Sequence, residues 1–240
     1  GATSEILVAN TSSAKAAINI ADSVYKTETE DAVYTLTLYT QKNLKDKQYQ
    51  GYYSTVEVPT RIYLASDAAF HKNEKDIVAK TLAEAAQAAQ EQGLDKVYVC
   101  TTVTVTAADE AILNQRGLTL VRCSEHHDSY LLEIKGEVTL DGAHLDGASI
   151  KSEDSLISVG SGAKLNITGD TVIENGVAKY GGGLVVNQGL LNMTGGTIRG
   201  NHATALGGGV YVQGYQAVVN FDGGSLIGNS SEVYGGGVDV

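Results

Sequence analysis

The sequence predicts an all-β chain wound as a β-solenoid, and three observations predict it. The phrases LNITGDTVIEN at 165–175, LNMTGGTIRGN at 191–201 and VNFDGGSLIGN at 219–229 are one text written three times, with starts 26 and 28 residues apart. Five residues after the closing asparagine of each copy comes a Gly-Gly-Gly triplet and an aliphatic-led strand, at 181–186, 207–212 and 235–240. Inside each copy the apolar residues alternate instead of recurring at helical spacing. Short alternating stretches joined by glycine-rich corners at this period make units that bury their apolar faces only against one another.

The bulk composition fits such a fold and narrows the partners. The chain has 240 residues, 28 Gly, 13 Tyr, one Pro, one Met and no Trp, a bias toward turns and strands. A net charge of −11 argues against nucleic acid and anionic membranes, which would repel such a surface. No apolar run approaches the roughly 20 residues a bilayer span requires. The single methionine, Met193, falls mid-strand, so the chain is expected to be a processed or excised part of a longer protein.

Residues 1–70 carry β-like runs at 32–40, 50–58 and 61–66, expected to form a small antiparallel sheet with 41–49 as a hairpin loop. Residues 73–96 read as a helix with Asn73 at its start and Gly93 at its end. Val78, Leu82, Ala85 and Ala89 share one face, and the helix is expected to act as a lid over the first coil, where strand edges would otherwise lie open. The strand run KVYVCTTVTVT follows at 96–106. Cys100 and Cys123 are close to one coil period apart, which suits either a disulfide between successive turns or two buried thiols in one column.

From 97 to 240 the copies align into columns. Val138, Leu165, Leu191 and Val219 form one inward column, Leu140, Ile167, Met193 and Phe221 the next, and Leu145, Val172, Ile198 and Leu226 a third, with VTLDGAHLDGA at 138–148 as an earlier, looser copy. Asn166, Asn192 and Asn220 share an outward column, while Thr171, Thr197 and Ser225 share a corner. The two extra residues of the last copy fall around QGYQA, after Val212, where a corner loop tolerates them. Asn175, Asn201 and Asn229 are expected to turn inward as a ladder of amides, and Tyr180, Leu206 and Tyr234 to stack before their glycine triplets. The triplets themselves point to positive φ and tight corners. The chain stops in mid-coil at Val240, so further coils are expected beyond it.

Candidate chemistry is sparse. Asp141 and Asp222 share an outward column, but three coil steps, roughly 14 Å, separate them. Lys135, Asp141, His144 and Asp146 could sit on one coil and supply a base and a cation beside a carboxylate, as a lyase or glycosidase needs. A solvated polar coil is the plainer reading of this group. His126, His127 and Asp128 suggest a metal, yet neighbours on a strand point to opposite faces, which favours an ordinary loop. No acidic nonapeptide spacing for calcium is present. Neither a catalytic nor a metal-binding set, nor any cofactor, is assigned, and the binding residues stay open.

The pairing of an apolar residue three before each asparagine (VIEN, IRGN, LIGN) with a GGG-aliphatic element resembles the polymorphic membrane protein repeats of chlamydial surface autotransporters. Those combine FxxN with a GGA-aliphatic unit. Here Gly replaces the Ala, and Val, Ile or Leu replaces the Phe. Residues 73–240 are also similar to the right-handed parallel β-helix segments of cell-wall adhesins in Firmicutes, a pectate-lyase-like solenoid with a lid helix leading into a strand. The resemblance implies a right-handed parallel β-helix on an extracellular bacterial surface protein that binds a host or matrix glycan or protein. A polysaccharide-active enzyme and a passive stalk are the rival readings.

Overall fold

The structure, a computed structural model, describes residues 6–10, 35–40, 52–55, 60–66, 76–125 and 129–240. The chain divides into two compact units, residues 1–60 and 61–240. In the first, β1 (Ile6–Asn10), β2 (Thr35–Thr40) and β3 (Tyr52–Thr55) form one sheet. The expected antiparallel pairing is that of β2 with β3, while β1 joins β2 in parallel. The loop expected at 41–49 lies outside the described residues, and the third run, at 61–66, does not belong to this sheet. Its strand, β4 (Ile62–Leu64), is buried at all three positions and sits inside a parallel sheet of the second unit, where a strand covered on both faces is stable.

The second unit is a β-solenoid. Its early strands are β5 (Ile77–Ala79), β6 (Lys96–Val99), β7 (Val103–Val105), β8 (Thr119–Arg122) and β9 (Leu132–Ile134). The looser copy supplies β10 (Glu137–Asp141), β11 (His144–Asp146) and β12 (Ile157–Val159). The first full copy gives β13 (Lys164–Thr168), β14 (Val172–Glu174), β15 (Val177–Tyr180) and β16 (Leu184–Asn187). The second gives β17 (Leu190–Met193), β18 (Thr197–Arg199), β19 (His202–Leu206) and β20 (Val210–Gln213). The third gives β21 (Val218–Phe221), β22 (Ser225–Ile227), β23 (Ser230–Ser231) and β24 (Val238–Asp239).

Equivalent strands of successive coils pair in parallel, so the coils stack into four sheets. One holds β10-β13-β17-β21, one β5-β4-β6-β8-β11-β14-β18-β22, one β7-β9-β12-β16-β20-β24, and a short one β15-β19-β23. The first two inward columns stand in register as the sequence wrote them: Val138, Leu165, Leu191 and Val219, then Leu140, Ile167, Met193 and Phe221. The third is corrected by one residue, because Leu145 pairs with Ile173, which pairs with Ile198 and then Leu226. Val172 pairs instead with His144 and Thr197, and Thr171, expected at an outward corner, is fully buried with its Oγ1 accepting the Gly142 N–H at 3.0 Å. The corner between β13 and β14 absorbs one more residue than the next coil's, and strict alternation along a strand then exchanges inside for outside.

The glycine triplets do two different jobs. Only the first glycine of each has positive φ, 57° at Gly181, 65° at Gly207 and 64° at Gly235. The others allow close approach between coils: a Cβ on Gly182 would lie 2.6 Å from the Gly208 carbonyl oxygen, and one on Gly209 2.7 Å from that of Gly237. Tyr180, Leu206 and Tyr234 follow one another in register, as expected.

The helix is shorter than the sequence suggested. α1 (Leu82–Gln92) starts after Thr81, whose hydroxyl accepts the Glu84 N–H while Glu84 accepts the Thr81 N–H, and it ends at left-handed Gly93. Asn73 lies outside the described residues, and Val78 belongs to β5, since the β-branched run Ile77-Val78 pairs with β4. Leu82, Ala85, Ala86 and Ala89 are buried, and the helix packs on β4, β5 and β6. It is the crossover from β5 to β6, seated on the terminal strands of the long sheet, where a separate lid was expected.

Two further devices secure this end. Cys100 and Cys123 follow β6 and β8 on successive turns and are joined by a disulfide, with Cα atoms 5.0 Å apart. The upper edge of β10 is covered by side chains of α2 (Glu110–Leu113) and the residue after it. Glu110 accepts the Thr139 N–H at 2.7 Å, Asn114 Oδ1 accepts the Asp141 N–H at 2.8 Å, and Asn114 Nδ2 donates to the Thr139 carbonyl at 3.0 Å. Side chains thus satisfy an edge that would otherwise invite another strand.

Candidate functional site

Alternation along each strand sends every second side chain outward, and stacking in register turns those positions into lines of like groups. On the sheet β10-β13-β17-β21 the line is a chain of amides. Asn220 Nδ2 donates to Asn192 Oδ1 at 2.9 Å, Asn192 Nδ2 to Asn166 Oδ1 at 3.0 Å, and Asn166 Nδ2 to Glu137 Oε1 at 3.1 Å. Lys164 pairs with the same Glu137 carboxylate at 2.7 Å, and its hydrogen bond with that of Asn166 holds the Glu137 carboxyl below its ordinary range.

The long sheet carries a charged line. His144 Nδ1 lies 3.1 Å from Thr119 Oγ1, and His144 Nε2 lies 2.7 Å from Glu174 Oε1. Arg199 Nε donates to the other Glu174 oxygen at 2.7 Å. Burial pushes the Glu174 carboxyl up, but hydrogen bonds from Arg199 and His144 outweigh it, so the group is held below the usual glutamate range. Asp146 accepts from Ala148 N at 2.8 Å and from Asn175 Nδ2 at 3.0 Å.

The four residues proposed as one enzymatic group are therefore divided. His144 and Asp146 share the long sheet, Asp141 ends a strand of another sheet opposite Thr168, and Lys135 pairs with Glu133 at 2.7 Å. Asp222 follows the last strand of the Asp141 sheet, remote from it along the stack. His126, His127 and Asp128 lie outside the described residues. The sequence reading missed Glu174 and Arg199, which pair directly across β14 and β18; the signal was present in opposite charges one coil apart.

It also missed Arg122, a cation in the apolar run LVRC. Arg122 is 1% exposed and donates to the carbonyls of Ser129 (2.7 Å) and Ser155 (2.9 Å), to that of Asp154 (3.4 Å) and to Ser152 Oγ (3.0 Å). Burial lowers its pKa to about 10, with Asp154 opposing the shift. Burial likewise pushes the Asp154 carboxyl and the neighbouring Tyr130 phenol up. A guanidinium whose donors bind backbone carbonyls of two segments is a clasp between turns. A third outward feature is aromatic: Tyr180 stacks on Tyr211 with centroids 5.2 Å apart, and Lys179 lies 5.2 Å from the Tyr180 ring.

No helix among the described residues is long and apolar enough to cross a membrane. Set against protein-family models, curated proteins and solved structures, the chain matches none of them.

Proposed function

We propose that the solenoid is a rigid binding scaffold of an extracellular bacterial surface protein, an adhesin that recognises a host or matrix glycan or protein. The observation that carries this reading is the amide line Asn166, Asn192 and Asn220. It repeats the same outward amide on three successive coils, about 4.8 Å apart. The side chains hold one another in place, so a chain-like ligand lying along the stack meets groups that need no further ordering. The disulfide supports an oxidising compartment. The acidic surface disfavours nucleic acid.

A polysaccharide-active enzyme is the second reading, favoured by His144, an imidazole held between Thr119 and Glu174 as an acid–base group. Against it, Arg199 occupies the second Glu174 oxygen and weakens that carboxylate as a partner for an imidazolium. Exposing the whole chain to arrays of acidic and neutral glycans and of matrix proteins tests the proposal. Binding without new reducing ends or unsaturated products, weakened about tenfold by Asn192→Ala, is expected. New reducing ends would transfer the case to the enzyme, and no binding with no products would leave a passive stalk.

A further inference from the structure

We propose that the amide line takes a neutral, hydroxyl-rich glycan chain laid along the stack, rather than an acidic glycan or a protein, an inference that rests on the scaffold reading of that same line. The line has two outward neighbours on the sheet β10-β13-β17-β21, each about 7 Å to one side, two residues along the strands. One is aliphatic over the later coils: Leu190, half-buried, stands in register with exposed Val218. The other carries hydroxyls, since Thr168 follows inward Ile167 and Thr194 follows inward Met193, and the Thr194 N–H continues the ladder to the Ile167 carbonyl. Three chemistries thus run side by side along the solenoid, aliphatic, amide and hydroxyl.

Asn192, at the middle, fixes what fits. It spends one N–H on Asn166 and one lone pair on Asn220. A primary amide carries two of each, so one donor and one acceptor are left at the surface. Two neighbouring sugar hydroxyls answer both, because every hydroxyl donates and accepts. Thr194, exposed beside it, adds a further hydroxyl, and Leu190 on the other flank gives the C–H face of a sugar ring an apolar surface. A protein partner wants different groups, since tight protein contacts are anchored by Trp, Tyr or Arg, and these columns hold none. Charge separates neutral from acidic chains. Lys164, the one cation in the three columns, is paired with Glu137 at 2.7 Å. Asp141 and Asp222, at the two ends of the hydroxyl column, have no cationic partner among the described residues. A uronate or sulfate laid there meets carboxylates without a counter-charge, and such like-charge contact costs affinity.

Titrating the whole chain at low and physiological salt with neutral chains (glucan, mannan, galactan, xylan), with polygalacturonate and a sulfated glycan, and with matrix proteins is the test. A neutral chain should bind at least about tenfold more tightly than either acidic one, with an affinity that salt leaves unchanged. Thr194→Val and Leu190→Ser, surface changes checked by an unmoved thermal midpoint, should each weaken that binding about threefold. Asp141→Asn combined with Asp222→Asn should raise the affinity for polygalacturonate about threefold or more at low salt, a gain that physiological salt removes. An acidic chain bound as tightly as any neutral one, or a matrix protein bound in place of every glycan, would overturn this ligand class; if Asn192→Ala weakened that binding, the scaffold reading would stand. Neutral binding untouched by both Thr194→Val and Leu190→Ser would place the glycan elsewhere and overturn the inference as well. Binding of none of these probes would overturn it together with the scaffold reading.

Discussion

Asn175 and Asn201 close the same phrase in successive repeats but stand one residue out of phase. Asn201 is fully buried and pairs with the Gly176 N–H, whereas Asn175 has φ of 56°, the left-handed place that Gly200 and Gly228 hold in the next coils, and bonds Asp146 instead. The inward amide ladder thus runs through Asn201 and Asn229, joined at 3.0 Å, and Asn175 is not a rung.

Asn201→Ala should therefore lower stability by about 1–3 kcal/mol, since it strands a buried N–H and carbonyl. Asn175→Gly suits the left-handed backbone and should stay within about 0.5 kcal/mol. Chemical denaturation of both variants checks this; equal losses would refute the phase difference.

Gly209→Ala and Gly237→Ala change the same place in successive coils. The first drives a methyl against the Gly237 carbonyl and Asn229 and should cost about 1–3 kcal/mol. The second enters open space and should leave the thermal midpoint unmoved.

Reducing the Cys100–Cys123 bridge, or replacing both residues by Ser, opens a loop with a sequence separation of 23. Constraint of the unfolded chain predicts a loss of about 3 kcal/mol, read from denaturation with and without reductant. A loss near zero would show that neighbouring strands hold this turn unaided.

Glu174 gives a pH dependence of known sign. Its folded pKa lies below the ordinary 4.5, so it stabilises fully above that value and loses the contribution as pH falls through the lowered one. Glu174→Gln should flatten this acid limb of stability against pH while leaving the rest of the curve in shape. A limb identical to that of the parent would remove Glu174 from it.

Glu110→Ala and Asn114→Ala each uncover β10 backbone groups, Thr139 N–H in one and Asp141 N–H in the other. Each should lower stability by about 1–3 kcal/mol, and the double variant should associate through the bared edge, visible in light scattering.

The sequence by itself determined the coil period, the two inward columns headed by Val138 and Leu140, the outward asparagine column and the glycine at the end of the helix. All follow from alternation along a strand and from residue-specific backbone freedom, which are local properties. Only the tertiary structure decided that Ile173 rather than Val172 faces inward and that Ile77–Ala79 is strand. It also joined Cys100 to Cys123, and set Glu174 between His144 and Arg199. The inward phase of Ile173 rests on how many residues a corner absorbs against the coil beside it, and the other three on which strands come to lie side by side. That is a contest between backbones adjacent in space and about 25 residues apart in sequence, to which side-chain alternation within a single strand is blind.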